Sequence, residues 1–400
     1  MQELVTYEEL FKAYLDCLRH KSRTENACNF IIELPKNLYD LHKELNNGTY
    51  QVGLSSTFIV DRPVTREVFA GNFRDRIVHH FIINRIMLAF ESTVIDNSFS
   101  CRVNKGTLFG AMTLKQNIEE ISKNYTKDAY VLKCDLKAFF MTINKQLLYD
   151  CVSDLIKTRV HRHDQIQCDF LCNLTHRVIM HCPQYNCIIK GDCNKWKGLP
   201  KDKSLFYAKE GCGLPIGNLT SQIFANLFLD KFDKYVLEEL GFKYYGRYVD
   251  DFYILSEEKE KLTDAIPKIT KFLANMGITL HPKKRYLQHV SKGVTFLGVT
   301  IKPGCTFPIK RTISNLHKML WEEYDYFQNA GERNIREEDV DRLITRFNSY
   351  MGLICHHNTY KFRKRLCRKQ HMCYFMSKYV RIDGQRRKMI KNKEMWPTKA

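Results

Sequence analysis

Two adjacent aspartates, Asp250 and Asp251, sit in the middle of Gly246-Arg247-Tyr248-Val249-Asp250-Asp251-Phe252-Tyr253-Ile254-Leu255. Aromatic and β-branched residues on both sides read as two short strands, with the aspartates where the chain must turn. Neighbouring carboxylates on a tight turn repel each other, and a hard divalent cation such as Mg²⁺ relieves that repulsion by taking oxygen ligands. Asp-Asp is also an ordinary surface-turn pair. What singles it out here is a third aspartate, Asp135, closing another strand pattern, Tyr130-Val131-Leu132-Lys133-Cys134. Three carboxylates from two strand ends are the minimum set for holding two metal ions about an in-line phosphoryl displacement.

Other residues could serve the same chemistry. Arg66, Arg74 and Arg76 flank Gly71 and could grip a triphosphate by bidentate contacts, or form a solvated basic loop held by Glu67 and Asp75. Arg102 and Lys105 lie between Phe99 and Phe109 in a glycine-containing stretch, which suits a nucleic-acid backbone track or an ordinary loop. In Gly211 to Gln222, Gly213 and Gly217 offer the close backbone approach that a nucleotide or template base needs, and Asn218 or Thr220 could cap the next helix. Fifteen cysteines at irregular spacing point to reduced thiols. The densest group, Cys168, Cys172, Cys182, Cys187 and Cys193 with His176 and His181, reads as a zinc site or as structural thiols, and it has no Cys-x-x-Cys pair.

Several elements must carry these residues. Thr6-Tyr7-Glu8-Glu9 fits a capping box before a helix with Leu10, Phe11, Tyr14, Leu15 and Leu18 on one face. Tyr50 to Val60 reads as extended up to a turn at Asp61-Arg62-Pro63, and an apolar helix runs through Ile86 and Phe90. Ile223, Phe224, Leu227, Phe228 and Phe232 form a core stripe, and Leu262 to Met276 an amphipathic helix ending at Gly277. Val294 to Thr300 reads as a strand, and residues 311–360 have helical periodicity. Four hundred residues exceed one comfortable core. The net charge of +19 calls for a polyanionic partner, nucleic acid before a membrane surface. Residues 361–400 hold 14 Lys and Arg against 2 Asp and Glu, interleaved with Tyr360, Phe362, Tyr374, Phe375 and Tyr379, which fits a duplex-holding surface. No apolar run has membrane-spanning length and no signal core opens the chain, so a cytoplasmic location is expected.

Taken in order, these segments resemble a reverse transcriptase. Tyr248-Val249-Asp250-Asp251 looks like the family's catalytic turn, Asp135 with Phe140 like its first palm motif, and Val294 to Gly298 like its primer-grip strand. The resemblance implies an α+β right-hand polymerase. Residues 1–125 would be an N-terminal helix and fingers, 126–305 a palm with a Cys/His-rich insertion at about 155–205, and 306–400 a helical thumb with a basic tail. It implies that Asp135, Asp250, Asp251 and the Leu136 carbonyl hold two Mg²⁺, with Mn²⁺ as a substitute. Phe139 and Phe140 would lie at the nucleotide site, with Phe140 as the steric gate that prefers deoxynucleotides. Arg66, Arg74 and Arg76 would face the triphosphate, Lys283 or Lys284 would donate a proton to pyrophosphate, and Ile216, Gly217 and Gln222 would line the nucleotide site. Template and duplex would meet Arg102, Lys105, Phe296, Leu297, Gly298, Lys361, Arg363, Lys364 and Arg365.

One departure narrows the resemblance. Most of the family reads Gln-Gly-x-x-x-Ser-Pro where this chain has Ile216-Gly217-Asn218-Leu219-Thr220-Ser221-Gln222. That pattern, with Gly213 to Asp230 and Asn348-Ser349-Tyr350-Met351-Gly352, is similar to the reverse transcriptases of diversity-generating retroelements. The likeness implies a bacterial or phage enzyme that copies a template-repeat RNA into cDNA with errors at adenines, to diversify a target gene. Its partners would be that RNA, dNTPs and a small basic oligomeric accessory protein. A defence-associated bacterial reverse transcriptase would share the active site. A catalytically silent nucleic-acid-binding protein would have no reason to keep three crowded carboxylates.

Overall fold

Thr6 begins the first helix. Its hydroxyl accepts from the Glu9 N–H at 3.2 Å while the Glu9 carboxylate accepts from the Thr6 N–H at 3.1 Å, a reciprocal cap. The buried face is Leu10, Ala13, Tyr14 and Cys17; Phe11 and Leu15, expected on it, are 40% and 45% exposed. The computed structural model describes residues 3–19, 24–61, 64–330, 334–368, 378–384 and 387–392. Arg62-Pro63 of the expected turn and the tail aromatics Tyr374 and Phe375 lie outside the described residues.

In chain order the elements begin with α1 (Tyr7–Leu18), α2 (Glu25–Ile32), α3 (Leu34–Asn46), β1 (Ser55–Val60), β2 (Arg66–Ala70), α4 (Phe73–Thr93) and α5 (Thr107–Ile121). Next are β3 (Tyr130–Lys137), α6 (Phe139–Thr142), α7 (Lys145–Leu155), α8 (Gln165–Met180), β4 (Cys187–Ile189), α9 (Leu219–Phe228) and α10 (Asp230–Lys234). β5 (Tyr244–Tyr248), β6 (Asp251–Ser256), α11 (Lys259–Asn275), β7 (Thr279–Leu280) and β8 (Tyr286–His289) follow. The chain continues through β9 (Val294–Phe296), β10 (Val299–Lys302), β11 (Cys305–Pro308), α12 (Lys310–Ala330), α13 (Glu337–Ile354), α14 (Tyr360–Arg368), β12 (Val380–Ile382) and β13 (Met389–Lys391). This is the α+β class expected from the sequence.

The chain forms two compact units. The first comprises Met1–Gly110 and Tyr130–Leu287. Its central sheet has the order β5-β6-β3-β7, with β6 antiparallel to both β5 and β3. Helices cover it through a continuous apolar core that includes Ile82 and Phe90 of α4, Leu148 of α7, Phe224 of α9 and Ile269 of α11. A smaller sheet, β2-β1-β4, pairs β1 antiparallel to β2 and parallel to β4. The cysteine-rich segment is thus part of the architecture, supplying helix α8 and an edge strand. Buried Glu67 on β2 ties that segment down, accepting from Trp196 Nε1 at 2.7 Å, Ser204 Oγ at 2.7 Å and the Leu205 N–H at 2.6 Å.

The second unit comprises Ala111–Ala129 and Gln288–Ala400. It contains the antiparallel sheet β11-β10-β9 and a helical core built on Leu316 and Phe327 of α12 and Leu343 and Phe347 of α13.

Candidate active site

The β3–β6 register sets Asp135 directly opposite Asp251, and the Leu136 N–H donates to the Asp250 carbonyl at 3.0 Å. β5 and β6 pair from Tyr248↔Asp251 onward, leaving Val249 and Asp250 as a two-residue loop. Val249 has φ +56°, a left-handed conformation at a loop position normally left to glycine, and Val is β-branched. Local strand propensity and the turn therefore bring the three carboxylates to one end of the sheet.

Burial raises Asp250 above the usual carboxylate range, with the Asp135 charge adding to it, and pushes Asp251 up to about 6 against the opposing field of Lys133. Lys133 Nζ lies 2.9 Å from Asp251 Oδ2, and Lys284 Nζ lies 3.0 Å from Asp135 Oδ2. Exposed Arg66, at the start of β2, lowers Asp250 through its charge. Asp251 Oδ1 is buried with no hydrogen-bond partner. Among the described residues no three His, Cys, Asp or Glu side chains stand close enough to form a ready-made metal site. The donors at the sheet end nonetheless fit hard divalent cations: they are all oxygens, they repel one another, and one is orphaned.

Beside the carboxylates, Ala138 takes φ +49° and leads into α6. The Leu214 N–H donates to the Phe140 carbonyl at 2.7 Å and the Phe69 N–H to the Ile216 carbonyl at 2.8 Å. Phe140 and Ile216 both pack on one small apolar cluster of Phe69, Met141 and Leu205, while Phe139 is buried in the main core. Gly217 has φ +124°, and a Cβ there would lie 2.8 Å from Val68 Cγ1 and 2.9 Å from the Phe69 carbonyl. Its close approach is to β2 of its own chain, where a ligand had been expected. Asn218 does occupy the N-cap position of α9, but its side chain accepts from the Gly71 N–H at 3.3 Å, and Thr220 Oγ1 meets His79 Nδ1, so neither caps the helix.

Several residues expected at ligands are engaged elsewhere. Arg74 pairs with Glu44, donates to the Gln51 carbonyl at 3.1 Å and covers the Tyr50 ring at 4.9 Å. Arg76 Nε donates to the Gly71 carbonyl at 2.9 Å. Of the three arginines, Arg66 is the one whose charge reaches the aspartates. Arg102 is 5% exposed, 2.7 Å from Glu91, and Lys105 pairs with Asp96 over the Phe109 ring; both brace their loop. Gln222 is exposed and accepts from Cys101 Sγ at 3.0 Å. Lys284, not Lys283, meets the carboxylates; the Lys283 main chain donates to His281 Nδ1.

In the second unit Phe296 is buried, and Leu297 and Gly298 form a two-residue loop with φ +49° and +83°. On α14, Lys361 and Arg365 are exposed and Lys364 half-buried, whereas Arg363 is 4% exposed and donates to Thr359 Oγ1 at 3.3 Å. Cys168 and Cys172 are buried on α8, where burial pushes the Cys172 thiol up to about 11.

Sequence reasoning missed Lys133, two residues before Asp135 on the same face of β3, a period-2 relation that was available to it. It also missed Arg247, which is fully buried against Asp233.

Residues 65–301, more than half of the chain, match the family described as reverse transcriptase (RNA-dependent DNA polymerase), and the chain belongs to that family. No curated protein matches it. The solved structures to which it is similar include three of telomerase. One is an apo telomerase from Candida tropicalis truncated from its C-terminal domain (16% identity, 62% of this chain and 53% of that one, TM-score 0.44). Another is a telomerase from Candida albicans in complex with a TWJ fragment of telomeric RNA (12%, 82% and 60%, TM-score 0.45). The third is an apo telomerase from Candida tropicalis (12%, 82% and 62%, TM-score 0.47). The chain thus spans 53% to 62% of the length of these telomerases.

Proposed function

We propose that the protein is an RNA-directed DNA polymerase acting through Asp135, Asp250 and Asp251. The observation that carries this reading is the register of Asp135 against Asp251, with the Asp250 turn beside it, in a chain of the reverse transcriptase family. The three carboxylates and the Leu136 carbonyl would hold two Mg²⁺, or Mn²⁺ in their place. When bound, such ions make a primer 3′-hydroxyl a better nucleophile and neutralise the charge of the triphosphate and leaving pyrophosphate. The chain's own residues do the rest. Arg66 attracts the triphosphate, and the half-buried Phe140 ring excludes a ribose 2′-hydroxyl. Lys284, 57% exposed on a flexible stem, can swing from Asp135 to protonate the leaving group. The test is extension of a DNA primer on an RNA template with dNTPs and Mg²⁺: extension with dNTPs and not with NTPs supports the reading, and no extension contradicts it.

The finer reading is mutagenic copying of a template-repeat RNA in a diversity-generating retroelement, with a small basic accessory protein as partner. Its support is Ile216, whose side chain shares the Phe140 cluster. A Gln there could hydrogen-bond the incoming sugar or template base, and losing one such bond is worth about 0.5–1.5 kcal/mol, enough for roughly tenfold weaker discrimination. Ile216→Gln should therefore lower misincorporation at template adenines several-fold in sequenced cDNA. An unchanged error spectrum favours a defence-associated enzyme with the same chemistry.

A further inference from the structure

Arg247 lies on β5 immediately before the Tyr248-Val249-Asp250-Asp251 turn and is completely buried. All five of its N–H groups find acceptors within the first unit. Nε donates to Asp233 Oδ1 at 2.7 Å and Nη2 to Asp233 Oδ2 at 2.5 Å, a bidentate pair with a carboxylate on α10. Nη2 also reaches the Asn226 carbonyl at 3.2 Å, and Nη1 reaches Asn226 Oδ1 at 3.1 Å, on α9. The remaining donor of Nη1 meets the Val249 carbonyl at 3.0 Å. Tyr245 adds its hydroxyl to Asp233 at 2.6 Å, and Asn226 in turn donates to Ser100.

A buried ion pair is a poor source of stability, because desolvation offsets its attraction and apolar residues of similar volume commonly do as well. What this pair does that apolar residues cannot is place a fixed donor on the carbonyl of Val249. That residue holds φ +56°, a conformation a β-branched side chain avoids and that persists only where its surroundings over-determine it. Asp250 follows directly, and its own carbonyl accepts from the Leu136 N–H of the Asp135 strand. We infer that Arg247, clamped by Asp233 and Asn226, is a positioning residue that locks the strained Val249 turn and so sets where Asp250 stands relative to Asp135. This rests on the polymerase reading for its functional consequence, but the mechanical part stands independently.

The test compares the full-length wild-type protein with Asp233→Leu/Tyr245→Phe/Arg247→Met, which removes the charge pair and the hydroxyl that depends on it together. Should that variant not fold, Arg247→Lys takes its place, keeping the charge and losing the fork. The first readout needs no activity: hydrogen exchange of the Leu136 amide, which donates to Asp250, against the Phe99 amide, which donates to the Arg247 main chain at 2.9 Å and serves as control. We expect Leu136 exchange to quicken at least tenfold with Phe99 unchanged, and Mn²⁺ affinity measured by electron paramagnetic resonance to fall. In primer extension kcat should drop roughly a hundredfold, as for a misplacement of about 1 Å, at unchanged KM for primer–template. Adding Val249→Gly, which accepts a positive φ without restraint, should recover part of the loss. Unchanged Leu136 exchange and Mn²⁺ affinity in a folded variant would overturn the inference. A wild-type protein that extends no primer would instead overturn the polymerase reading and leave the exchange result to decide the role of Arg247.

Discussion

Asp251 is held between a lysine that favours its charge and a buried setting that opposes it, and burial prevails, raising its pKa to about 6 from an ordinary 3.8. Between these two values the folded protein binds the proton more tightly than the unfolded chain does, so this group's contribution to stability falls as pH rises through that window and is absent above it. The magnitude is on the order of 3 kcal/mol. Asp251→Asn should remove that loss. In a chelating buffer, the urea midpoint of the variant should exceed that of wild type at pH 7 and converge with it near pH 4. A divalent ion placed among the carboxylates supplies the missing positive charge by another route, so Mg²⁺ at pH 7 should raise the wild-type midpoint more than that of the variant. The meeting of Asp135, Asp250 and Asp251 at one sheet end was legible because each lies in or beside a strand pattern that needs only its neighbours in sequence. The engagement of Arg74, Arg102 and Arg363 was not, because Glu44, Glu91 and the fold around Thr359 neutralise or bury them through contacts that composition does not encode.

Strand β2 shows how an element that contributes none of the three carboxylates shapes what surrounds them. It carries Arg66 at its exposed end, Phe69 under the Phe140 and Ile216 cluster, and Glu67 as the anchor of the cysteine-rich segment. Three donors converge on the Glu67 carboxylate, so Glu67→Ala leaves them unpaired in the interior. The cost should be about 3 kcal/mol, at about 1–3 kcal/mol for each buried polar group left without a partner and partial relaxation of the rest. Calorimetry should show a lowered Tm, and limited proteolysis should cut first within residues 190–205. Proximity in sequence makes Glu67 a partner of the nearby arginines in one of the two readings of that stretch; its hydrogen-bond donors lie 129 to 138 residues away. Helices were easier to read. The capping box at Thr6, the amphipathic stretch behind α11 and the apolar periodicity behind α12 and α13 are local signals, and each marks a helix. Strand β4 went unread because three residues give no period to detect.

The charge of the whole chain, +19, sets a long-range attraction for polyanions, but only side chains that reach solvent can release counterions. Replacing Lys361, Lys364 and Arg365 together by Ala should reduce the slope of log Kd against log salt for primer–template by up to about 3. Arg363→Ala should leave that slope nearly unchanged and lower thermal stability, since the residue is 4% exposed. Among the described residues no helix is long and apolar enough to cross a membrane. Three acidic side chains at one end of the first unit's sheet carry the proposed polymerase activity. Its most direct test is single-turnover addition of one deoxynucleotide to a primer annealed to RNA, by wild type, Asp135→Asn and Asp250→Asn at saturating Mg²⁺. We predict a rate at least about 10³-fold lower for each variant, with primer–template affinity unchanged, the scale of loss when groups essential to charge stabilisation are removed. Wild-type rates in either variant would contradict the account.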